Sequence, residues 1–482
     1  MENINRQIST WIKKPFNMTA IVFALLAYIL LPVMNSTMLR WFDEMSLFEP
    51  DILFWKQTTY YPGGFLKYIG AFLIQLFYYP WLGSTLLITL WVAMAYALRS
   101  AFRLRETGKS LLAFIIPLCL LCSVSGMDEG WLTMNFQGYF FSQTLGIFIS
   151  ILIFHAYRSI SSAWIRTVLL AMTGLAYLPF GYYAILSIGL CTVFEAVSAV
   201  GSRNWKHLLP PVAGIAVVVI VPWICYTCIP GVSVDNDKLY IKGLPEFTSD
   251  GFETWLKAIF CIQTIALAIF SASAALKKGI SVDPMLSYSI LVLGGACVIS
   301  STISVSKQVK CAIEMLHYID YSQWNNAIKV INETDVEPDF NMMILNNLSR
   351  KRLGLPLVYG IQRPKFDVES TELRREGITT NVFLNVPVNY HLGKSNNAYR
   401  WAMEHTVKYG KRVFFLKYMV RASLLNGDFE LARKYNRILL NTMFHRKWAE
   451  HYQPFIDHPE LMMRSKEFTG IPEYNPQTIF LQ

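Results

Sequence analysis

Residues 35–64 place adjacent carboxylates, nearby cations and several aromatics directly after the first apolar run. The stretch carries Arg40-Trp41-Phe42-Asp43-Glu44, then Glu49, Asp51, Lys56 and Tyr60-Tyr61-Pro62-Gly63-Gly64. A second acidic pair, Asp128-Glu129, lies in Gly126-Met-Asp-Glu-Gly-Trp131, close to Asn135 and Gln137. A carboxylate just outside a membrane span can act as a general base, hold a divalent metal, or orient an acceptor hydroxyl or amide. The aromatic and amide neighbours of the second pair suit stacking on a sugar and hydrogen-bonding to it. The plainer reading is that Asp128 or Glu129 complements the dipole of the following helix. Arg40, Lys56 and Lys67 could bind a lipid phosphate or pyrophosphate, the guanidinium as a fork and the ammoniums as point charges. Their other reading is snorkelling to lipid headgroups.

These residues need a membrane frame to position them, and composition supplies one. The chain has 482 residues, 53% hydrophobic and 16% charged, with a net charge of +10 and mean hydropathy +0.34. Charge is well below the soluble norm, which implies a membrane protein with a sizeable soluble part. Apolar runs of spanning length fill residues 16 to 305 and stop there. The expected division is a polytopic membrane domain at 1–305 and a soluble domain at 306–482. About nine spans are expected, at 16–34, 81–98, 110–125, 137–155, 164–179, 182–199, 208–229, 255–276 and 285–305. The run 65–79 contains Lys67 and Gln75 and reads as an interfacial or re-entrant helix.

Charge sets the orientation. With the amino terminus inside, Arg and Lys concentrate in the inner loops, for example Arg99, Arg103, Arg105 and Lys109, and again Lys277 and Lys278. Both acidic pairs then face outward, with the carboxy-terminal domain on the same side, which in a bacterium is the periplasm. The first run is too long for a signal-peptide core and lacks a small-residue cleavage site, so it reads as a retained span of the inner membrane. Cys119/Cys122 and Cys225/Cys228 have metal-site spacing but lie mid-helix without further ligands nearby, and read as packing residues. Gln143 and Gln263 lie inside spans and are expected to form interhelical hydrogen bonds.

The soluble half is all-α by pattern. Apolar positions at helical spacing fill 315–331 and 416–439, and small residues at Ala422 and Ala432 allow two helices to approach closely. Asn426-Gly427-Asp428 supplies the turn and a cap between them. This pattern resembles tetratricopeptide-type helix pairs. The whole arrangement resembles the GT-C superfamily, the polyprenyl-phosphate-dependent glycosyltransferases and oligosaccharyltransferases. The features that carry the resemblance are an acidic pair in the first outer loop, an interfacial helix, a second outer acidic pair and an outward carboxy-terminal domain. The chain also resembles an uncharacterised family of bacterial multi-pass envelope proteins.

The GT-C resemblance implies a catalytic acid at Asp43 or Glu44 and a second at Asp128 or Glu129, acting on a polyprenyl-linked donor. No other cofactor is implied beyond a divalent metal at the acidic pairs. The Trp-Trp-Asp type motif of the oligosaccharyltransferases is absent from the carboxy-terminal domain. The rival reading is a non-enzymatic scaffold that presents its helices to an envelope partner protein. A transporter fits less well, since the spans carry almost no charge. The sequence lacks a phosphate-binding Gly-rich loop, a nucleophile elbow and a zinc-binding His motif. The basic balance is accounted for by the inner loops and a mildly basic soluble domain, which leaves no nucleic-acid partner to invoke.

Overall fold

The structure, a computed structural model, describes residues 14–126, 138–202, 209–228, 240–241, 243–244, 250–276, 281–358 and 384–471. All regular structure among them is helical. The chain divides into two compact units.

The first unit gathers the apolar helices. Seven are long and apolar enough to cross a membrane: Pro15–Val33, Pro80–Ala101, Thr107–Ser125, Tyr139–Ser159, Tyr182–Val200, Trp255–Ala275 and Pro284–Ser304. They are the helices of a multi-pass membrane protein. Two further expected spans appear as shorter apolar helices, Ala163–Leu175 and Val212–Thr227, and the run 65–79 corresponds to the apolar helix Gly64–Tyr78. The break expected between the fifth and sixth spans is made by Gly181, whose φ of 56° suits a residue without a side chain.

Tyr139–Ser159 is the central helix of this unit. It packs against Gly64–Ile74, Pro80–Ala101 and Tyr182–Ser202. Its polar residues point inward and find partners. Trp91 Nε1 donates to Thr144 Oγ1 at 3.0 Å, and Gln143 Nε2 donates to Gln263 Oε1 at 3.2 Å. The two glutamines expected to bond across helices therefore bond each other. Glu195, 1% exposed, is held by Arg166 and by the Tyr157 hydroxyl, so its charge is compensated inside the helix bundle. Pro284–Ser304 leaves most of its apolar surface uncovered, with Val292 and Leu293 both exposed, as a lipid-facing helix should.

One contact in this unit leaves no room for a side chain. A Cβ on Gly70 would sit 2.3 Å from the Gly138 carbonyl oxygen, and one on Gly138 would sit 2.2 Å from the Ala71 amide nitrogen. Gly138 also has φ +81°. The short helix Gly64–Ile74 can therefore press its backbone against the start of the central helix.

The second unit is built from Ser36–Pro50 and the described residues of Val305–Gln482. The boundary near residue 305 matches the change in composition, but the unit also takes in the first loop. The first span ends in a widened turn at Ile29–Val33 around Pro32, which has no amide hydrogen to donate. The amphipathic helix Ser36–Glu44 follows and buries Met38, Leu39, Trp41, Phe42 and Asp43. It packs on Lys307–Asp320 and Val413–Asn426.

Around these, consecutive helices pair: Lys307–Asp320 with Trp324–Glu333, Ser395–Tyr409 with Val413–Asn426, and the latter with Phe429–Leu440. Every side chain from Val413 to Leu424 is buried, which makes Val413–Asn426 the core helix. It closes at Gly427, φ 77°, and Ala422 and Ala432 are fully buried at its contact with the next helix. The Asp428 side chain makes no capping hydrogen bond, so the turn rests on the glycine and not on the expected cap.

Replacing Gly70 with valine is expected to lower stability by about 1–3 kcal/mol through overpacking. Gly189 lies in the helix Tyr182–Ser202 with nothing within 4 Å of its would-be Cβ. Gly189→Ala should raise stability by about 0.5–1 kcal/mol. Thermal unfolding of the full chain in detergent checks both.

Candidate functional site

The first-loop helix delivers two adjacent carboxylates into the helical unit, and they meet different fates. Asp43 is 3% exposed, and its Oδ2 shares a 2.9 Å hydrogen bond with His445 Nε2. Burial pushes the Asp43 carboxyl above its usual range, and the His445 interaction offsets only part of that rise. Glu44 accepts a hydrogen bond from Lys417 Nζ at 2.6 Å through Oε1. Further along the loop, Glu49 pairs with Lys411 at 2.9 Å, and the Val413 amide donates to the Ser46 carbonyl at 3.3 Å.

Lys417 belongs to a buried chain of alternating charge. Its Nζ also lies 3.7 Å from Asp320 Oδ2, and Arg421 closes on the other oxygen of Asp320. Arg421 donates from Nη2 to the Asp320 carbonyl at 2.8 Å and from Nε to the Tyr452 hydroxyl at 2.6 Å, with Glu467 3.7 Å away. Lys417 and Arg421 are one helical turn apart, so one face of the core helix presents both cations to one carboxylate. Trp448 lies against both, 5.8 Å from the Lys417 nitrogen and 5.2 Å from the Arg421 guanidinium carbon.

The energetics follow from burial. Lys417 is 0% exposed, and burial alone would favour its neutral form. The Glu44 and Asp320 carboxylates outweigh that and hold it charged above its ordinary range. Burial would likewise raise Asp320, but Arg421 and Lys417 reverse the effect and bring it down to about 2.

Glu44 Oε2 is buried and has no hydrogen-bond partner among the described residues. Glu44 lines a partly open cavity of about 50 Å³, together with Arg40, Trp41, His317, Tyr318 and Phe414. Trp41 and Phe414 meet edge to face at 5.1 Å. Burial, with the Arg40 charge adding to it, holds His317 below its usual range, so it is neutral at pH 7. One carboxylate oxygen is thus committed to a buried cation. The other is buried without a hydrogen-bond partner among the described residues, in a side chain that lines a cavity shared with a guanidinium, a neutral imidazole and aromatic residues.

The remaining expected site residues are divided. Arg40 belongs to the helical unit and lines the cavity; Lys56 and Lys67, on Ile52–Thr59 and Gly64–Ile74, belong to the unit of apolar helices. Asp128 and Glu129 lie outside the described residues. Among the described residues no group of three His, Cys, Asp or Glu side chains is placed to hold a metal ion. Lys417, Arg421, Asp320 and His445 were not anticipated. The signal for two of them was present: cations four residues apart in an otherwise apolar helical run.

A family model described as a family of unknown function, DUF6057, matches residues 11–482. The chain belongs to this family. No curated protein and no solved structure matches it. The family match runs through both units, so the helices that carry Asp320 and Lys417 are as much part of the family's span as the apolar helices.

Lys417→Met leaves the buried Glu44 without its cation and is expected to cost about 3–5 kcal/mol. Asp43→Asn, which can keep a hydrogen bond to His445, should change stability by less than about 1 kcal/mol. Asp320 is lowered in the folded state, so its contribution is present above 3.8 and lost as pH falls towards about 2. That contribution is on the order of 2 kcal/mol. Unfolding followed between pH 5 and pH 2 should show a steep acid limb that Asp320→Asn flattens.

Proposed function

We propose that the chain is a GT-C-like glycosyltransferase using a polyprenyl-phosphate-linked sugar or glycan at the periplasmic face of a bacterial inner membrane, with Glu44 as the working carboxylate. The observation that carries this reading is the division of labour at Glu44: Oε1 fixed by Lys417, Oε2 uncommitted beside Arg40 and aromatic walls. A carboxylate in that state can take the proton of an acceptor hydroxyl as its oxygen attacks the anomeric carbon. The bond from that carbon to the carrier phosphate then breaks, and a guanidinium such as Arg40 suits the departing anion. A cavity of about 50 Å³ admits a small group of the acceptor and not a whole donor. Asp43 is bound to His445 and serves the loop's attachment. By resemblance, Asp128 and Glu129 form the second acidic pair, and Lys56 and Lys67 remain candidates for carrier phosphate.

A second reading, a membrane scaffold presenting its helices to an envelope partner, draws on a specific observation. The Asp43–His445 hydrogen bond and the ion pairs Glu44–Lys417 and Glu49–Lys411 fasten the first loop within the helical unit, which is what a purely structural loop would need.

Transfer from radiolabelled polyprenyl-phosphate sugar in vesicles containing the full chain separates the two. Glu44→Gln is expected to reduce transfer by at least about 100-fold, and also to lower the unfolding temperature because the buried Lys417 loses one of its two carboxylates, while Asp43→Asn stays within several-fold of wild type. Equal transfer by wild type and Glu44→Gln would remove the transferase reading and leave the scaffold.

A further inference from the structure

We infer that Lys417 is a positioning residue for Glu44, and that Asp320 and Arg421 brace it from behind. The inference rests on the transferase reading for its consequence in catalysis, but not for its geometry. Lys417 contacts Glu44 at 2.6 Å and Asp320 at 3.7 Å from a helix buried along its length from Val413 to Leu424, so its ammonium has a fixed place between two carboxylates. Tyr321 and Trp448 lie 5.9 and 5.8 Å from that nitrogen and close its flanks. Asp320 is itself fixed by Arg421, which bonds both its side chain and its backbone carbonyl.

A glutamate has three rotatable side-chain bonds. Anchoring one of its oxygens removes most of that freedom and leaves the second oxygen in one location. The charged groups around Glu44 are Lys417, Asp320 and Glu314 from the later helices, Arg40 and Asp43 on its own helix, and the titratable His317 across the cavity. Of these, only Lys417 forms an ion pair with Glu44 among the described residues. Loss of Lys417 leaves Glu44 facing Asp320 without the shared cation.

Two measurements on the full chain test the assignment. The first needs no substrate: a water-soluble carbodiimide with glycine ethyl ester labels carboxyls that it can reach, and peptide mass spectrometry reads the rate at Glu44. Lys417→Met should label Glu44 at least tenfold faster than wild type, Lys417→Arg should restore slow labelling, and Glu49 should label at the same rate in all three. An unchanged rate at Glu44 in Lys417→Met overturns the inference whatever the protein transfers.

The second is transfer by Glu44→Gln, Lys417→Met and the double variant, which removes both charges together and so avoids a stranded ion. A positioning role lowers kcat at least tenfold in Lys417→Met with KM changed less than twofold. It adds no further loss in the Glu44→Gln background. Independent, multiplying losses in the double variant would mean that Lys417 acts on the fold alone and would overturn the inference. Failure of the transferase reading looks different: Glu44→Gln transfers like wild type while the labelling contrast persists.

Discussion

A lysine ammonium with no solvent exposure, shared between two carboxylates from distant parts of the chain, is the constraint on which the helical unit depends. An ion removed from water loses hydration worth several kcal/mol, and only close, well-directed counter-charges offset that loss. The unit meets the requirement by alternation: Glu44, Lys417, Asp320, Arg421 and Glu467 follow one another with opposite sign at each step. The arrangement is specific because it is expensive to disturb. An apolar contact slipped by one residue still buries area, whereas a slipped ion pair strands a charge in a low-dielectric interior. The register of the first-loop helix on Lys307–Asp320 and Val413–Asn426 is therefore set by charge, and the buried faces of Trp41, Phe42 and Phe414 fill the space that this register defines.

Much of this architecture was legible in the sequence, and the reasons differ from element to element. Spans such as Pro80–Ala101 and Trp255–Ala275 are continuous apolar runs, for which length and hydropathy alone suffice. Gln143 and Gln263 could be paired in kind, because a polar side chain in a span must find a partner, although nothing in one sequence says which. Ala163–Leu175 fell short of a span because the chain turns earlier than its apolar run suggests, ahead of Pro179 and Gly181. The importance of Arg40 and of the 43–44 pair could be read from residue type and place. Their partners could not: Glu44 and Lys417 are 373 residues apart, and no local pattern encodes a contact at that separation. The two acids also looked equivalent on paper. Only burial and the position of His445 distinguish a carboxylate occupied in attachment from one with an oxygen left over.

The cavity beside Glu44 shows how the same side chains serve packing and chemistry. Trp41 and Phe414 meet edge to face where the first-loop helix docks, and both also line the cavity. His317 is kept neutral by the burial that comes with this packing, so it can donate or accept a hydrogen bond without adding charge. The site is thus a by-product of how firmly the loop is docked.

The discontinuity of the helical unit also has a consequence for biogenesis. Ser36–Glu44 precedes most of the apolar helices in the chain, yet the helices that receive it, Lys307–Asp320 and Val413–Asn426, follow them all. During the interval Trp41 and Phe42 have no protein surface to cover them, and an amphipathic segment in that position rests at the bilayer interface. Completion of the unit must draw this segment off the lipid and close a very long chain loop, a step that local contacts cannot accelerate. Assembly of the helical unit therefore waits for the helices that follow the apolar ones in the chain.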